Sequence, residues 1–185
     1  MGLEAARKAL TPPLLNGNNA GFVRASAKLF IVFVSDEEDQ SPDGNASQAP
    51  SYFVNAFRNV KGVNNPSLIS TSAIAGDVPN GCATAMAGAR YKVVVDDIGG
   101  VFSTICTNNF APALQAIGIE ATQPQAEFFL TRVAIPGTIV VKVNGATQPG
   151  SAWFYTAAAN SVTFNAGSVP APGASIVIDY DVVCQ

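Results

Sequence analysis

Four consecutive acids, Asp36-Glu37-Glu38-Asp39, directly follow the most apolar run of the chain, KLFIVFV (28–34), with only Ser35 between. Carboxylates beside a hydroxyl are hard oxygen donors of the kind that Mg²⁺ and Ca²⁺ select. In open α/β sheets ligands collect outside the carboxyl ends of the strands, and the acids occupy that place if 28–34 is a strand. A solvated acidic loop fits the same spacing. Asp39-Gln40-Ser41-Pro42-Asp43-Gly44 also matches the opening of an EF-hand loop. The twelfth position is Pro50 instead of a bidentate Glu, so a surface turn is the better reading.

Most other chemistries are excluded by composition. The chain contains no histidine. Ser-His-Asp and Cys-His catalysis, His-ligated zinc and His-based pH switches are therefore ruled out. The cysteines are Cys82, Cys106 and Cys184, with no C-x-x-C, so neither zinc nor thioredoxin-type chemistry is supported. A glycosidase needs two acids that converge from different elements. The adjacent Asp96 and Asp97 fall on an expected helix and point about 100° apart. Ten basic and thirteen acidic residues give a net charge of −3, and the basic ones are scattered. Nothing supplies the dense positive field that a phosphate backbone requires, so nucleic acid is not an expected partner. No apolar run approaches the ~20 residues of a membrane helix, and the N-terminus lacks a basic-then-apolar signal pattern. Asn45-Ala46-Ser47 is formally a glycosylation sequon.

With 48% hydrophobic and only 12% charged residues the chain must fold, and its periodicities give the elements. Residues 2–10 read as a helix, with Leu3, Ala6 and Leu10 on one face and Thr11-Pro12-Pro13 ending it. The run 28–34 reads as a strand buried on both faces, as in a parallel sheet. Residues 50–60 read as a helix with Phe53, Val54, Phe57 and Val60 on its core face. Residues 67–75 form a second strand. Residues 83–89 are helix or loop, 90–100 a helix, 101–106 a short strand and 110–117 a further helix. Helices alternating with strands imply an α/β fold with a parallel sheet.

The texture changes at Thr122-Gln123-Pro124. Short runs rich in Val, Ile, Phe and Tyr follow at 127–133, 138–143, 153–155, 161–164 and 175–183. Asn144-Gly145, Pro149-Gly150 and Pro172-Gly173 punctuate them. This predicts an antiparallel sandwich of about five strands joined by hairpins. Trp153 and Tyr155 share one strand face and Phe154 takes the other, so core packing is favoured over an aromatic sugar platform.

KLFIVFVSDEEDQSP resembles the fourth strand and following loop of a von Willebrand factor type A domain. There an apolar strand followed by Ser or Thr and Asp supplies the last side-chain ligand of the metal-ion-dependent adhesion site. Asp36 is the matching residue, with Ser35, Glu37 and Asp39 as supporting oxygens. GLEAARKAL resembles the helix before that strand. GCATAMAGARYKVVVDDIGGVFSTIC resembles the later part of the domain, where a helix ending in Gly-Gly leads to the last strand. The likeness is closest to large bacterial surface or secreted proteins and covers residues 2 to about 120. A complete domain of that family opens with Asp-x-Ser-x-Ser and adds a Thr from a second loop, and this sequence has neither. The fold class expected is therefore a partial, N-terminally truncated, Rossmann-like three-layer α/β domain at 1–123, then a small all-β antiparallel sandwich at 124–185.

The resemblance also implies a Cys82–Cys106 disulfide and an extracytoplasmic compartment, with two buried thiols as the alternative. The bridge would close about 25 residues, a span at which a disulfide contributes roughly 3 kcal/mol. Cys184 would then be free or intermolecular. The function expected is non-enzymatic adhesion to a protein or cell-surface partner through an incomplete metal site at the Asp36 loop. Mg²⁺ or Ca²⁺ would belong to the intact parent protein, and this chain alone is expected to bind metal weakly or not at all. The alternative is a structural scaffold with no metal function that oligomerises through an exposed sheet edge.

Overall fold

The computed structural model describes residues 1–183 except 26, 44, 45, 48, 63, 64, 123 and 172. Cys184, Asn45 of the sequon and Gly44 of the EF-hand-like run thus lie outside the described residues, as do Gln123 and Pro172 of the turn segments. The chain divides into two units, Met1–Ala121 and Thr122–Gln185.

The first unit opens with α1 (Gly2–Ala9) and β1 (Leu29–Ser35). A small antiparallel pair follows, β2 (Pro42–Asp43) and β3 (Ala46–Ser47). Then come α2 (Pro50–Lys61), β4 (Ile69–Ala75), α3 (Ala89–Ile98), β5 (Phe102–Thr104) and α4 (Ala111–Thr122). The sheet order is β1-β4-β5, all parallel, with Leu29 opposite Ile69 and Ser35 opposite Ala75. Parallel neighbours need a crossover, and α2 and α3 supply the two. α2 starts on Pro50, whose fixed φ and missing N–H suit a first helical position, and stops at Gly62, with φ +82°. Its Phe53, Val54 and Phe57 pack with Leu3 of α1 and Tyr91 and Val94 of α3 over the odd-numbered face of β1 and β4. α4 lies on the other face, where Ala113 and Ile117 meet Ile74. Gly118 does not stop this helix, which runs past Ile117 to Thr122. Of residues 83–89, expected as helix or loop, 83–88 form no helix and Ala89 opens α3.

β4 is the middle strand, and all seven of its residues are buried although ISTSAIA carries three hydroxyls. Burying a polar group without a partner costs about 1–3 kcal/mol, so each hydroxyl needs one. Ser70 Oγ lies within hydrogen-bond distance of Glu120 Oε1 (2.9 Å) and Gly99 O (3.0 Å), between which its one proton is shared, and Thr71 Oγ1 donates to Val94 O (3.3 Å). Ser72 Oγ accepts from the Val101 N–H (3.0 Å). These bonds tie β4 to the helix and turn that lead to β5.

β1 departs from expectation. It is an edge strand and is not buried on both faces. Leu29 and Phe33 enter the core, but Val32 and Val34 on the even face are 42% and 67% exposed. A continuous run of apolar β-formers does not encode which element covers its second face.

The second unit contains β6 (Glu127–Phe129), β7 (Val140–Val143), β8 (Ala146–Thr147), β9 (Trp153–Thr156), β10 (Ser161–Phe164) and β11 (Ile176–Asp179). They form two three-stranded antiparallel sheets, β6-β10-β9 and β11-β7-β8. β8 is a strand that the composition did not announce. Asn144 and Gly145 hold φ of +50° and +83°, the two left-handed residues that a tight hairpin needs, and return the chain as β8. Val141 of one sheet and Val162 and Phe164 of the other share an apolar cluster, against which Trp153 and Tyr155 pack. Phe154 points outward, 50% exposed.

Asn160 ties this unit together. It sits at φ +49° in the turn between β9 and β10. Its Nδ2 donates to Leu130 O (3.0 Å) and Arg132 O (2.9 Å). Its Oδ1 accepts from the Tyr155 hydroxyl (2.8 Å) and the Ala134 N–H (3.4 Å). Asn160→Ala strips these partners and puts at φ +49° a residue that lacks asparagine's tolerance of the left-handed region, so it should destabilise the second unit by about 2–4 kcal/mol. Asn160→Gly keeps the backbone conformation and should cost less. Urea unfolding followed by fluorescence of Trp153, the sole tryptophan, checks the order.

Candidate functional site

β1 and β4 end side by side at Ser35 and Ala75, so the loops at 36–41 and 76–88 leave the same carboxyl edge of the sheet. The four acids of the first loop do not act together. A helix leaves its first N–H groups without internal partners, and Met1 supplies no side-chain cap to α1. Asp39 and Ser41 do so from a distant part of the chain. Asp39 Oδ1 accepts from the Leu3 N–H (3.2 Å), and Ser41 Oγ accepts from the Glu4 N–H (3.0 Å). The Ser41 hydroxyl donates to Asp39 Oδ1 (2.8 Å), and the Ser41 N–H donates to Oδ2 (3.0 Å). Arg90 Nε lies 3.4 Å from Oδ2 and Tyr91 OH 3.5 Å from Oδ1. Asp39 is accordingly a core residue, 1% exposed.

Glu38 repeats the device at α3. Its Oε2 accepts from the Ala89 N–H (2.9 Å), and its Oε1 accepts from the N–H groups of Arg90 (3.2 Å) and Asp39 (2.8 Å). Negative charge at a helix amino end is favoured by the macrodipole as well as by the hydrogen bonds. Two of the four acids are thus structural clamps.

Burial works against ionisation of Asp39, but the hydrogen bonds from Ser41 and the Leu3 amide prevail and hold its pKa below the usual value. The hydrogen bond from Arg7 does the same for Glu4, against a smaller opposing effect of burial. For Glu120 burial is again outweighed, here by Lys28 and Ser70.

Asp36 and Glu37 remain exposed. The Ser35 hydroxyl donates to Glu37 O (2.8 Å) and accepts from the Glu37 N–H (3.2 Å), which fixes the turn that presents them. They line an open hollow of about 570 Å³ with Pro79, Asn80, Thr84 and Met86. The opposite wall is the 76–88 loop. Met86 N–H donates to Asp36 O (2.8 Å), Gly88 N–H to Gly76 O (3.0 Å), and Cys82 N–H to Ala85 O (2.8 Å). The Cys82–Cys106 disulfide, with Cα atoms 6.1 Å apart, anchors the loop tip to the segment after β5. Gly76 is required by close approach, because a β-carbon there would stand 1.9 Å from Met86 O.

The donors present do not fit a Mg²⁺ or Ca²⁺ site. Such an ion needs six or more oxygens. Of the expected set, Asp39 is committed to α1 and the Ser35 hydroxyl to its own turn, which leaves Asp36 and Glu37. Among the described residues no three His, Cys, Asp or Glu side chains are grouped to hold a metal. Asp96 pairs with Lys92 (2.8 Å) on the surface of α3. Sequence reasoning missed Glu38 as a cap and Asn80, Thr84 and Met86 as walls. The D-x-S spacing of Asp39 and Ser41 was the available signal for capping, but its target helix lies 36 residues upstream.

Compared with models of known families, with curated proteins and with solved structures, the chain shows no significant match.

Asp39→Ala should cost about 1–3 kcal/mol, because it orphans buried donors and removes a helix cap. The pH dependence follows from the depressed pKa values of Asp39, Glu4 and Glu120. Their stabilisation is complete above the unfolded carboxylate range of about pH 4 and is lost as pH falls through the lower folded values. Asp39→Asn should flatten the acid limb of the stability curve, measured by urea unfolding between neutral pH and the acid transition. An unchanged acid limb would contradict the capping role.

Proposed function

We propose that this chain is a non-enzymatic binding module whose ligand surface is the hollow at the carboxyl edge of the parallel sheet. The observation that carries this reading is the division of labour in the acidic loop. Glu38 and Asp39 are consumed in capping, while Asp36 and Glu37 are held out over a walled hollow. Exposed Met86 and Val78 lie on the 76–88 loop, and no Lys, Arg or His is among the residues lining the hollow. An acidic rim with apolar spots suits a basic, partly apolar segment of a protein ligand better than an anion.

The reading places the first unit among Rossmann-like α/β domains of the von Willebrand factor type A kind. Parallel strands joined by helices, with the ligand loops at the carboxyl edge, support that placement. A divalent cation would need oxygens beyond Asp36 and Glu37, so the reading involves no metal step. The disulfide favours an extracytoplasmic setting, such as a bacterial surface or secreted protein. No helix among the described residues is long and apolar enough to cross a membrane. A second reading, a structural scaffold that associates through its sheet, is favoured by the edge of β1 that no strand among the described residues pairs.

An array of short peptides graded from acidic to basic tests the first reading. Basic peptides should be retained at low salt, released as salt rises, and unaffected by EDTA. Asp36→Lys with Glu37→Lys should weaken retention about tenfold or more. Equal retention by wild type and variant, or preference for acidic peptides, would overturn it.

A further inference from the structure

We propose that β1 is the seam of a homodimer. Two copies pair their β1 strands antiparallel about a two-fold axis with Val32 opposite Val32, joining two three-stranded sheets into one of six. This specifies the partner in the scaffold reading above and rests on it. Three observations carry it.

The first is the edge itself. β1 pairs with β4 on one side, and no strand among the described residues pairs with the other. Proteins protect such edges with charges, prolines, bulges or short strands. LFIVFVS has seven residues and none of these devices. Along its outer side the backbone N–H and C=O groups of β1 form a template that a further strand pairs in register.

The second is the exposed even face. Val32 and Val34 are 42% and 67% exposed. In an antiparallel pair, directly opposed residues lie on the same face. With Val32 on the axis, Phe30 of each copy falls opposite Val34 of the other. Both exposed valines then gain an apolar neighbour, and the odd faces of both copies keep their own helices.

The third is charge. The strand is basic at its start and acidic at its end, with Lys28 immediately before it and Asp36 immediately after. One residue beyond each end of the paired strands, the same register brings the Lys28 end of each copy beside the Asp36 end of the other, twice over by symmetry. Lys28 Nζ donates to the Glu120 carboxylate (3.0 Å) and the Glu120 carbonyl (3.3 Å), and an ammonium has a third donor to give. A parallel pairing in register would instead stack Lys28 on Lys28 and Asp36 on Asp36. An isologous antiparallel seam is therefore the self-complementary one.

Sedimentation velocity of the full chain, carrying Cys184→Ser to exclude cross-linking through that thiol, should show a dimer at micromolar concentration. Val32→Arg puts two like charges on the axis at an exposed position. It should weaken association about tenfold or more while leaving the circular dichroism unchanged. Asp36→Lys should weaken it too, and mixing that variant with Lys28→Asp should restore a heterodimer. Opposed antiparallel residues lie about 4.5–5.5 Å apart between Cα atoms, within disulfide reach. Val32→Cys should thus cross-link under mild oxidation, whereas Val93→Cys, exposed on α3, should not. A dimer indifferent to Val32→Arg and not linked by Val32→Cys would overturn the seam while leaving a scaffold of another geometry. A monomer throughout would overturn both.

Discussion

Leu3 and Glu4 present their amides at the start of α1, and Asp39 and Ser41 bring the oxygens that take them from the loop that follows β1. Glu38 does the same for Ala89 and Arg90 at α3. The rest of the first unit depends on this clamp. It fixes the amino ends of two helices to one loop at the carboxyl edge of β1. It also offsets the desolvation cost of placing a carboxylate in the core, since both carboxylate oxygens of Asp39 are met by donors. A buried carboxylate without those partners would be expelled or protonated.

The clamp also decides what the loop can do. A run of four acids is a poor metal cage when its members face different ways. Two point inward to helix ends, and two stand on the rim of the hollow. The Met86 amide reaches the carbonyl of Asp36, so the turn after β1 and the wall after β4 are one construction. Gly76 permits that approach, and the disulfide holds the other end of the wall. Capping, close packing and covalent cross-linking thus converge on one surface feature.

Much of the backbone was legible from the residues. Helical spacing of Phe53, Val54 and Phe57 marked α2 and its buried face, and Asn144-Gly145 marked a tight turn. The Cys82–Cys106 bridge, implied by the family resemblance, is present. Three features were not legible, for related reasons. β1 reads as doubly buried because an apolar run records the strand and not its neighbours. The capping roles of Asp39 and Glu38 were hidden because their partners lie 36 and 51 residues away in sequence. α4 outran its expected end because one glycine in a helix costs only about 1 kcal/mol, and the contact of Ile117 with the sheet outweighs it. Local chemistry fixed the elements, and long-range geometry fixed the site.

The central claim is that carboxylates of the 36–39 loop hold the amino ends of α1 and α3. Native-state hydrogen exchange of the Leu3, Glu4, Ala89 and Arg90 amides tests it most directly. The account predicts protection at all four positions, with Ala89 and Arg90 losing theirs selectively in Glu38→Ala and Leu3 losing its own in Asp39→Ala. Exchange at the rate of open loop amides in the wild-type chain, or protection indifferent to both substitutions, would contradict it.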